Sequence, residues 1–311
     1  MDKRVMGAGL ALVLAACGEA GPDGAGEGER AGVGVPTSGL PAYFDCLDRE
    51  GVTLVSAHRG TDGRMPENGL ASVEAVVART GGLVEVDVAT SADGVLYLHH
   101  DDTLDRTTTG QGPADASWTV IKGLSLRDED GRVTAQAPAT LKALLEWSEG
   151  RAIPQLDIKP STDYDDVAAV LRETAAEARV VVIAYSPAQA RLIARKMPGV
   201  MISATVKNPG DLDRLERDGV ALSRVLAWTG NDRPDPALYA ALEARGVEVI
   251  FGTLGGRDSL DERIEASGDD GAYAALAGQG VDVLGTDRPV EAAAALRAAG
   301  VKTDGGVCLV G

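Results

Sequence analysis

Aromatic residues are scarce in this 311-residue chain: two Phe, three Trp and six Tyr make up 4% of it. A core of this size must therefore be assembled mostly from Val, Leu, Ile and Ala. Basic residues are also in deficit. Thirty Lys and Arg stand against 47 Asp and Glu, a formal net charge of −17, and no basic stripe is present that could neutralise a nucleic-acid backbone. The same acidity opposes an anionic ligand. Screening confines that repulsion to about 8–10 Å, so an anion site must bring its own local positive charge. No apolar run approaches the ~20 residues that a membrane-spanning helix needs. Nothing points to an obligate protein partner.

Cysteine occurs three times, and its placement is informative. Lys3 and Arg4, the apolar run 9–16 and the box Leu14-Ala15-Ala16-Cys17 resemble a bacterial lipoprotein signal,. Residues 1–16 are expected to be a signal peptide and Cys17 to be lipidated, with an ordinary secretory signal as the alternative. Residues 17–39, rich in Gly, Glu, Ala and Pro, have no apolar period and suit a flexible tether,. Gly18, where an Asp would retain a lipoprotein at the inner membrane of a Gram-negative cell, favours the periplasmic side of the outer membrane. Cys46 and Cys308 then remain. In an exported chain they are expected to pair, against the alternative of two buried free thiols.

Residues 40–311 are expected to form the folded domain. Strand-like runs at 52–58, 83–89, 95–100, 153–159, 179–185, 200–206, 223–228, 247–252 and 281–286 alternate with helical patterns at 68–80, 139–149, 165–177, 187–197, 209–218, 235–245, 271–279 and 289–299. Such repetition predicts an α/β fold, a (β/α)8 TIM barrel with an insertion over 101–138 after the third strand. Nine strand candidates are one too many: either 223–228 lies outside the barrel or another short run is a loop. An open doubly wound sheet fits less well, because Gly60-Thr61-Asp62-Gly63 lacks the spacing of a phosphate loop,.

The three histidines fall at strand ends. His58 closes 53–58, and His99 and His100 close 95–100. Between them, Val84-Glu85-Val86-Asp87-Val88 puts both acids on one strand face,. Two adjacent half-buried carboxylates repel, and a bound cation is the simplest remedy. In a barrel His58, Glu85, Asp87, one histidine of the 99–100 pair and Asp157 converge on one rim. Adjacent strand residues face opposite ways, so periodicity leaves the choice between His99 and His100 open. The chemistry expected is that of a metal-dependent hydrolase with a histidine pair. Trp118, Trp147 and Trp228 are expected to pack, Trp118 being the best candidate for a substrate platform. Asp105-Arg106 is expected to be an ion pair holding the insertion, and Thr286-Asp287 to close the barrel.

The segments Ala57-His58-Arg59-Gly60, Pro66-Glu67-Asn68, Glu85-Val86-Asp87-Val88, Asp93-Gly94-Val95, 100–108 (His-Asp-Asp-Thr-Leu-Asp-Arg-Thr-Thr), Pro138-Ala139-Thr140-Leu141, Leu156-Asp157-Ile158-Lys159 and 280–289 occur in order. Together they resemble the glycerophosphodiester phosphodiesterase family, here as a lipoprotein member. The resemblance implies a (β/α)8 barrel, catalytic His58 and His100, and Ca2+ or Mg2+ held by Glu85, Asp87 and Asp157. It further implies a phosphodiester substrate met by Arg59, Lys159 and Glu67, with Phe251 as an apolar wall. Two departures stand out: the family usually has Glu where this chain has Asp157, and Trp on the penultimate strand where this chain has Phe251. The expected reaction is hydrolysis of glycerophosphodiesters to sn-glycerol 3-phosphate and an alcohol. A lyase-like or phospholipase D-like route through a cyclic phosphate, and a non-catalytic headgroup-binding lipoprotein, are the alternatives. Headgroup, metal, the division of acid and base between the histidines, and oligomeric state stay open.

Overall fold

Alternation along the strands builds the molecule from the inside outward. The computed structural model describes residue 1 and residues 34–309, and residues 34–309 belong to one compact unit. Cys17 and the tether up to residue 33 lie outside the described residues. In chain order the elements are α1 (Leu40–Glu50), β1 (Leu54–Ala57), α2 (Leu70–Thr80), β2 (Leu83–Thr90), β3 (Leu96–Leu98), α3 (Trp118–Ile121), α4 (Leu141–Ser148), β4 (Ile153–Ile158), α5 (Tyr164–Glu173), β5 (Val181–Ala184) and α6 (Pro187–Lys196). They continue with β6 (Met201–Thr205), α7 (Pro209–Arg217), β7 (Val225–Trp228), α8 (Pro236–Glu243), β8 (Glu248–Gly252), α9 (Leu260–Ser267), α10 (Gly271–Ala277), β9 (Val283–Thr286) and α11 (Pro289–Ala298).

Eight parallel strands close a (β/α)8 barrel in the order β1-β2-β4-β5-β6-β7-β8-β9, β9 returning to β1. The surplus strand is β3, not 223–228. It pairs antiparallel with β2, through Val88–Leu98 and Thr90–Leu96, and hangs outside the ring. The insertion therefore follows a strand that is third in sequence but is not a stave; relative to the barrel it interrupts the second β-to-α crossing. Trp118 packs there against Tyr97, ring centroids 6.0 Å apart, in a small core with Leu104 and Ile121.

Each stave gives one apolar residue to the barrel floor: Leu54, Leu83, Ile153, Val181, Met201, Leu226, Ile250 and Val283. From below, α1 plugs the floor with Leu40, Tyr43, Phe44 and Leu47. This helix has no counterpart in the sequence reading, although Pro41 in its first turn and Gly51 at its end bound it,. The outward residues of the staves (Val55, Val84, Val86, Leu156 and Phe251 among them) pack under the helices. Among the described residues, no helix is long and apolar enough to cross a membrane.

Cys46 on α1 and Cys308 in the terminal turn form a disulfide, Cα atoms 5.8 Å apart and 262 residues apart in sequence. It fastens the plug to the chain's end. The chain-entropy model assigns so long a loop about 5 kcal/mol. Reductant, or Cys46→Ser with Cys308→Ser, is expected to lower the urea midpoint by a corresponding amount. An unchanged midpoint would show that the bond adds nothing to stability.

Candidate active site

Two residues above the floor the barrel interior turns polar. Ser56, Glu85, Gln155 and Ser203 face a cavity of about 290 Å3 whose upper rim carries His58, Asp87, His100, Asp157 and Lys159. The step from floor to rim is the strand period itself, Leu83 to Glu85 to Asp87. Parallel register puts Glu85 beside Gln155 and Asp87 beside Asp157. Ligand oxygens of Glu85, Asp87 and Asp157 lie within 4.8 Å of one another, so acids 72 positions apart share one spot.

Three buried carboxylates cannot all carry charge unaided. Lys159 bridges two of them, its Nζ 2.6 Å from Asp87 Oδ1 and 2.7 Å from Asp157 Oδ2. Although burial disfavours its charge, Asp87 stays below the usual carboxylate range because Lys159 and the Asn68 amide outweigh that penalty. Glu85 is different. It accepts a 2.7 Å bond from the Arg59 backbone N–H, and among the described residues no Lys or Arg pairs with it. Burial and the charge of Asp87 push its pKa up. An all-oxygen donor set with one carboxylate short of a cation fits a hard divalent ion such as Ca2+ or Mg2+.

The first loop supports this cluster through strained backbone. Arg59 and Asn68 are left-handed, with φ 52° and 57°, where few non-glycine residues sit. Asn68 Nδ2 donates to Asp87 Oδ2 at 2.7 Å while Asn68 Oδ1 accepts from the Asp87 N–H at 2.9 Å. Asn68 therefore clamps the acid and does not enter the expected helix, which starts at Leu70. Glu67 pairs with Arg59 at 3.0 Å and with Arg106 at 2.7 Å, placing it around the cluster and not in it. Arg106 also holds Asp101 at 2.6 Å; it does not pair with Asp105 as the sequence suggested.

Both cleft histidines are held from behind. His58 Nδ1 lies 2.6 Å from Asp287 Oδ1, and His100 Nδ1 lies 2.7 Å from Asp101 Oδ1. A carboxylate at Nδ1 fixes the tautomer and leaves Nε2 for chemistry. Burial opposes protonation of His58, but the Asp287 hydrogen bond and the charge of Glu85 override it and raise its pKa. His99 points away. Its Nε2 meets the Thr103 carbonyl at 2.9 Å and its ring stacks on Tyr97, so the choice left open by periodicity falls to His100.

The sequence reading gave Asp287 a role only in closing the barrel and gave Asp101 none, although both lie in the family-like segments 280–289 and 100–108. The signal for Asp101 was its adjacency to His100; nothing local marked Asp287 as the partner of His58, 229 residues away. A buried carboxylate at the groove wall, Asp261, secures the turn by accepting from the Asp287 N–H at 2.7 Å, Thr286 Oγ1 at 2.9 Å and Tyr273 Oη at 2.7 Å. The apolar wall also departs from expectation. Phe251 faces outward and is wholly buried under the helices. Trp228, expected only to pack, lines the cavity with Ile183, Ile250 and Leu254. Glycines on the neighbouring staves make room for the indole: a Cβ at Gly285 would lie 3.6 Å from it, and one at Gly252 would collide with it.

Known proteins resemble this chain in sequence and in fold. A model of the glycerophosphoryl diester phosphodiesterase family matches residues 58–291. The chain is similar to a glycerophosphodiester phosphodiesterase of Caldanaerobacter subterraneus, 43% identical over 60 residues, 19% of this chain and 25% of that protein. The match thus spans about a quarter of that relative's length. A glycerophosphoryl diester phosphodiesterase structure from Parabacteroides distasonis superimposes with a TM-score of 0.74 at 29% identity, covering 82% of this chain and 90% of that one. The barrel of an Oleispira antarctica phosphodiesterase, solved in complex with sn-glycerol-3-phosphate, shares the fold at TM-score 0.63 and 22% identity, covering 80% and 98%. With the family's match running from the first cleft histidine to beyond Asp287, this chain belongs to the glycerophosphoryl diester phosphodiesterase family.

Proposed function

We propose that the chain is a metal-dependent phosphoric diester hydrolase that converts glycerophosphodiesters to sn-glycerol 3-phosphate and an alcohol. One observation carries this reading: two tautomer-fixed histidines face one cavity with a three-carboxylate cluster. Glu85, Asp87 and Asp157 would hold Ca2+ or Mg2+. Bound there, such an ion supplies charge stabilisation to the phosphoryl oxygens as the transition state develops.

The chain's own residues do the rest. Arg59 Nε, buried and without a hydrogen bond, lies 3.9 Å from Asp87 Oδ2, so its guanidinium adds positive charge beside the carboxylate cluster where a phosphoryl oxygen would bind. Lys159 bridges Asp87 and Asp157 and holds them close, so its contribution to phosphate binding runs through the carboxylates. One histidine Nε2 takes a proton from the attacking oxygen and the other gives one to the departing alkoxide, since an unprotonated alkoxide leaves poorly. Trp228 and Leu254 bound the space for the glycerol carbons.

The experiment is hydrolysis of a glycerophosphodiester panel, with and without Ca2+ or Mg2+ after chelation, followed by phosphorus NMR. Metal-dependent appearance of sn-glycerol 3-phosphate is expected. No turnover of any diester with either metal would sink the reading, and an accumulating cyclic phosphate would move it to the lyase-like route.

Asp287→Asn keeps the shape of the contact but withdraws the carboxylate from His58 Nδ1, and with it the tautomer. It is expected to lower kcat by about 10²–10⁴-fold with little change in KM. Equal losses in Asp287→Asn and an unrelated surface variant would remove Asp287 from the account.

The N-terminal features support an exported protein, anchored through lipid at Cys17 on the periplasmic side. Two or more acyl chains anchor stably where one does not. Cys17→Ser should move the protein from the membrane to the soluble fraction, and unchanged fractionation would refute the anchor.

A further inference from the structure

His58 lines two cavities. One is the 290 Å3 pocket with the carboxylate cluster and Trp228. The other is an open groove of about 820 Å3 running outward between the insertion and α9. A diester whose phosphorus sits at the cluster has two arms. The smaller pocket, walled by Ile183, Trp228 and Leu254, suits the glycerol, so the leaving alcohol extends past His58 into the groove. This assignment rests on the hydrolase reading above.

The groove is acidic. Ten carboxylates and five guanidinium groups line it, so an alcohol carrying negative charge is disfavoured there. Ion pairs reduce that surplus without removing it: Arg79 holds Asp62, Arg132 holds Asp128 and Asp130, and His58 meets Asp287. Arg59 and Arg106 are taken by Glu67, Arg64 by Glu291 and Arg288 by Asp270 outside the groove. Arg127 binds the carbonyls of Thr108 and Gly131. Among the described residues, no Lys or Arg pairs with Glu129, Glu262 or Glu265. Glu129 lies across from Gly63, about 3.4 Å from where a Cβ there would be, and desolvation with the charges of Asp287 and Glu67 raises its pKa.

A second observation points independently to a ligand. Thr107 lines the same groove, is 5% exposed, and its hydroxyl has no hydrogen-bond partner. Buried hydroxyls without partners are rare and call for an explanation. No Phe, Tyr or Trp lines the groove. Quaternary ammonium groups, which cannot donate hydrogen bonds, are held on aromatic faces; a primary ammonium donates directly to carboxylate and hydroxyl oxygens. We propose that the groove is the leaving-alcohol subsite and selects an amino alcohol with a primary ammonium group, Glu129, Glu262 and Thr107 supplying acceptors. A diester of this kind has no net charge, so a chain of net charge −17 does not repel it.

The test compares kcat/KM for glycerophosphoethanolamine, glycerophosphocholine and bis(glycerol) phosphodiester, on the full chain with metal present. A charge-assisted hydrogen bond is worth about tenfold or more. The ethanolamine diester is therefore expected to exceed the glycerol diester by at least about tenfold and the choline diester by a smaller factor. Glu129→Lys and, separately, Glu262→Gln should pull the ethanolamine-to-glycerol ratio toward one. Each ratio is read within one preparation, so a partly unfolded variant still reports. A wild-type ratio near one, a choline diester turned over faster than the ethanolamine diester, or a ratio unmoved by both variants overturns the subsite while turnover itself leaves the hydrolase reading standing. Absence of turnover on all three diesters overturns both.

Discussion

His58→Ala and His100→Ala are each expected to lower kcat/KM for a glycerophosphodiester by about 10³-fold or more, and the double variant by little beyond the worse of the two. A positioned proton transfer contributes roughly 10²–10⁴-fold. When two groups act in one displacement, removing the first already forfeits most of what the second supplied. Both rings present Nε2 to the same cavity with a carboxylate behind Nδ1, the arrangement for passing protons in opposite directions across one phosphorus. His99 supplies the control. It is buried, bonded to a carbonyl and stacked on Tyr97, so His99→Ala should lower the melting temperature more than kcat. Steady-state kinetics on the three variants settles the matter. Multiplicative losses in the double variant, or retained turnover in either single one, would mean the two rings do not work on the same step.

The barrel was legible because its sequence signals are periodic. Leu83, Glu85 and Asp87 share a face by strand geometry alone, and the structure keeps that face inward from floor to rim. What periodicity could not supply is closure. Three residues, Leu96–Leu98, satisfy a strand pattern whether they form a stave or hang on a neighbour, and only pairing with β2 decides. The same limit explains Phe251. It and Ile250 adjoin on β8, one facing out and one in, and a single residue of register exchanges them. Asp287 shows a different limit. Its contact with His58 spans the join between the last stave and the first, and no local pattern encodes a contact made only when a ring closes. The plug α1 went unread for a third reason: it is a short helix in front of the first strand, outside the repeating unit.

The second large effect concerns Glu85, and its sign is unusual. Burial and the neighbouring Asp87 push this carboxyl from an ordinary 4.5 up to about 8. A carboxyl raised on folding binds its proton more tightly in the native state. Stability is therefore highest below the ordinary value and falls as pH rises through the window between the two, by up to about 1.4 kcal/mol per pH unit. In metal-free protein near pH 7.5, Glu85→Gln removes that cost and is expected to raise the melting temperature by about 3–6 °C, with a flatter pH dependence between pH 5 and 8. With Ca2+ or Mg2+ added the order reverses. Wild type gains stability in proportion to the logarithm of metal concentration above its dissociation constant, while Glu85→Gln, left with Asp87 and Asp157 already bridged by Lys159, gains little. Its kcat/KM should fall by about 10³-fold. Thermal unfolding of both proteins across pH, with chelator and with metal, separates the parts: metal stabilising the variant as much as wild type would place the ion elsewhere, and a metal-free variant less stable than wild type would show that the charge on Glu85 is already compensated.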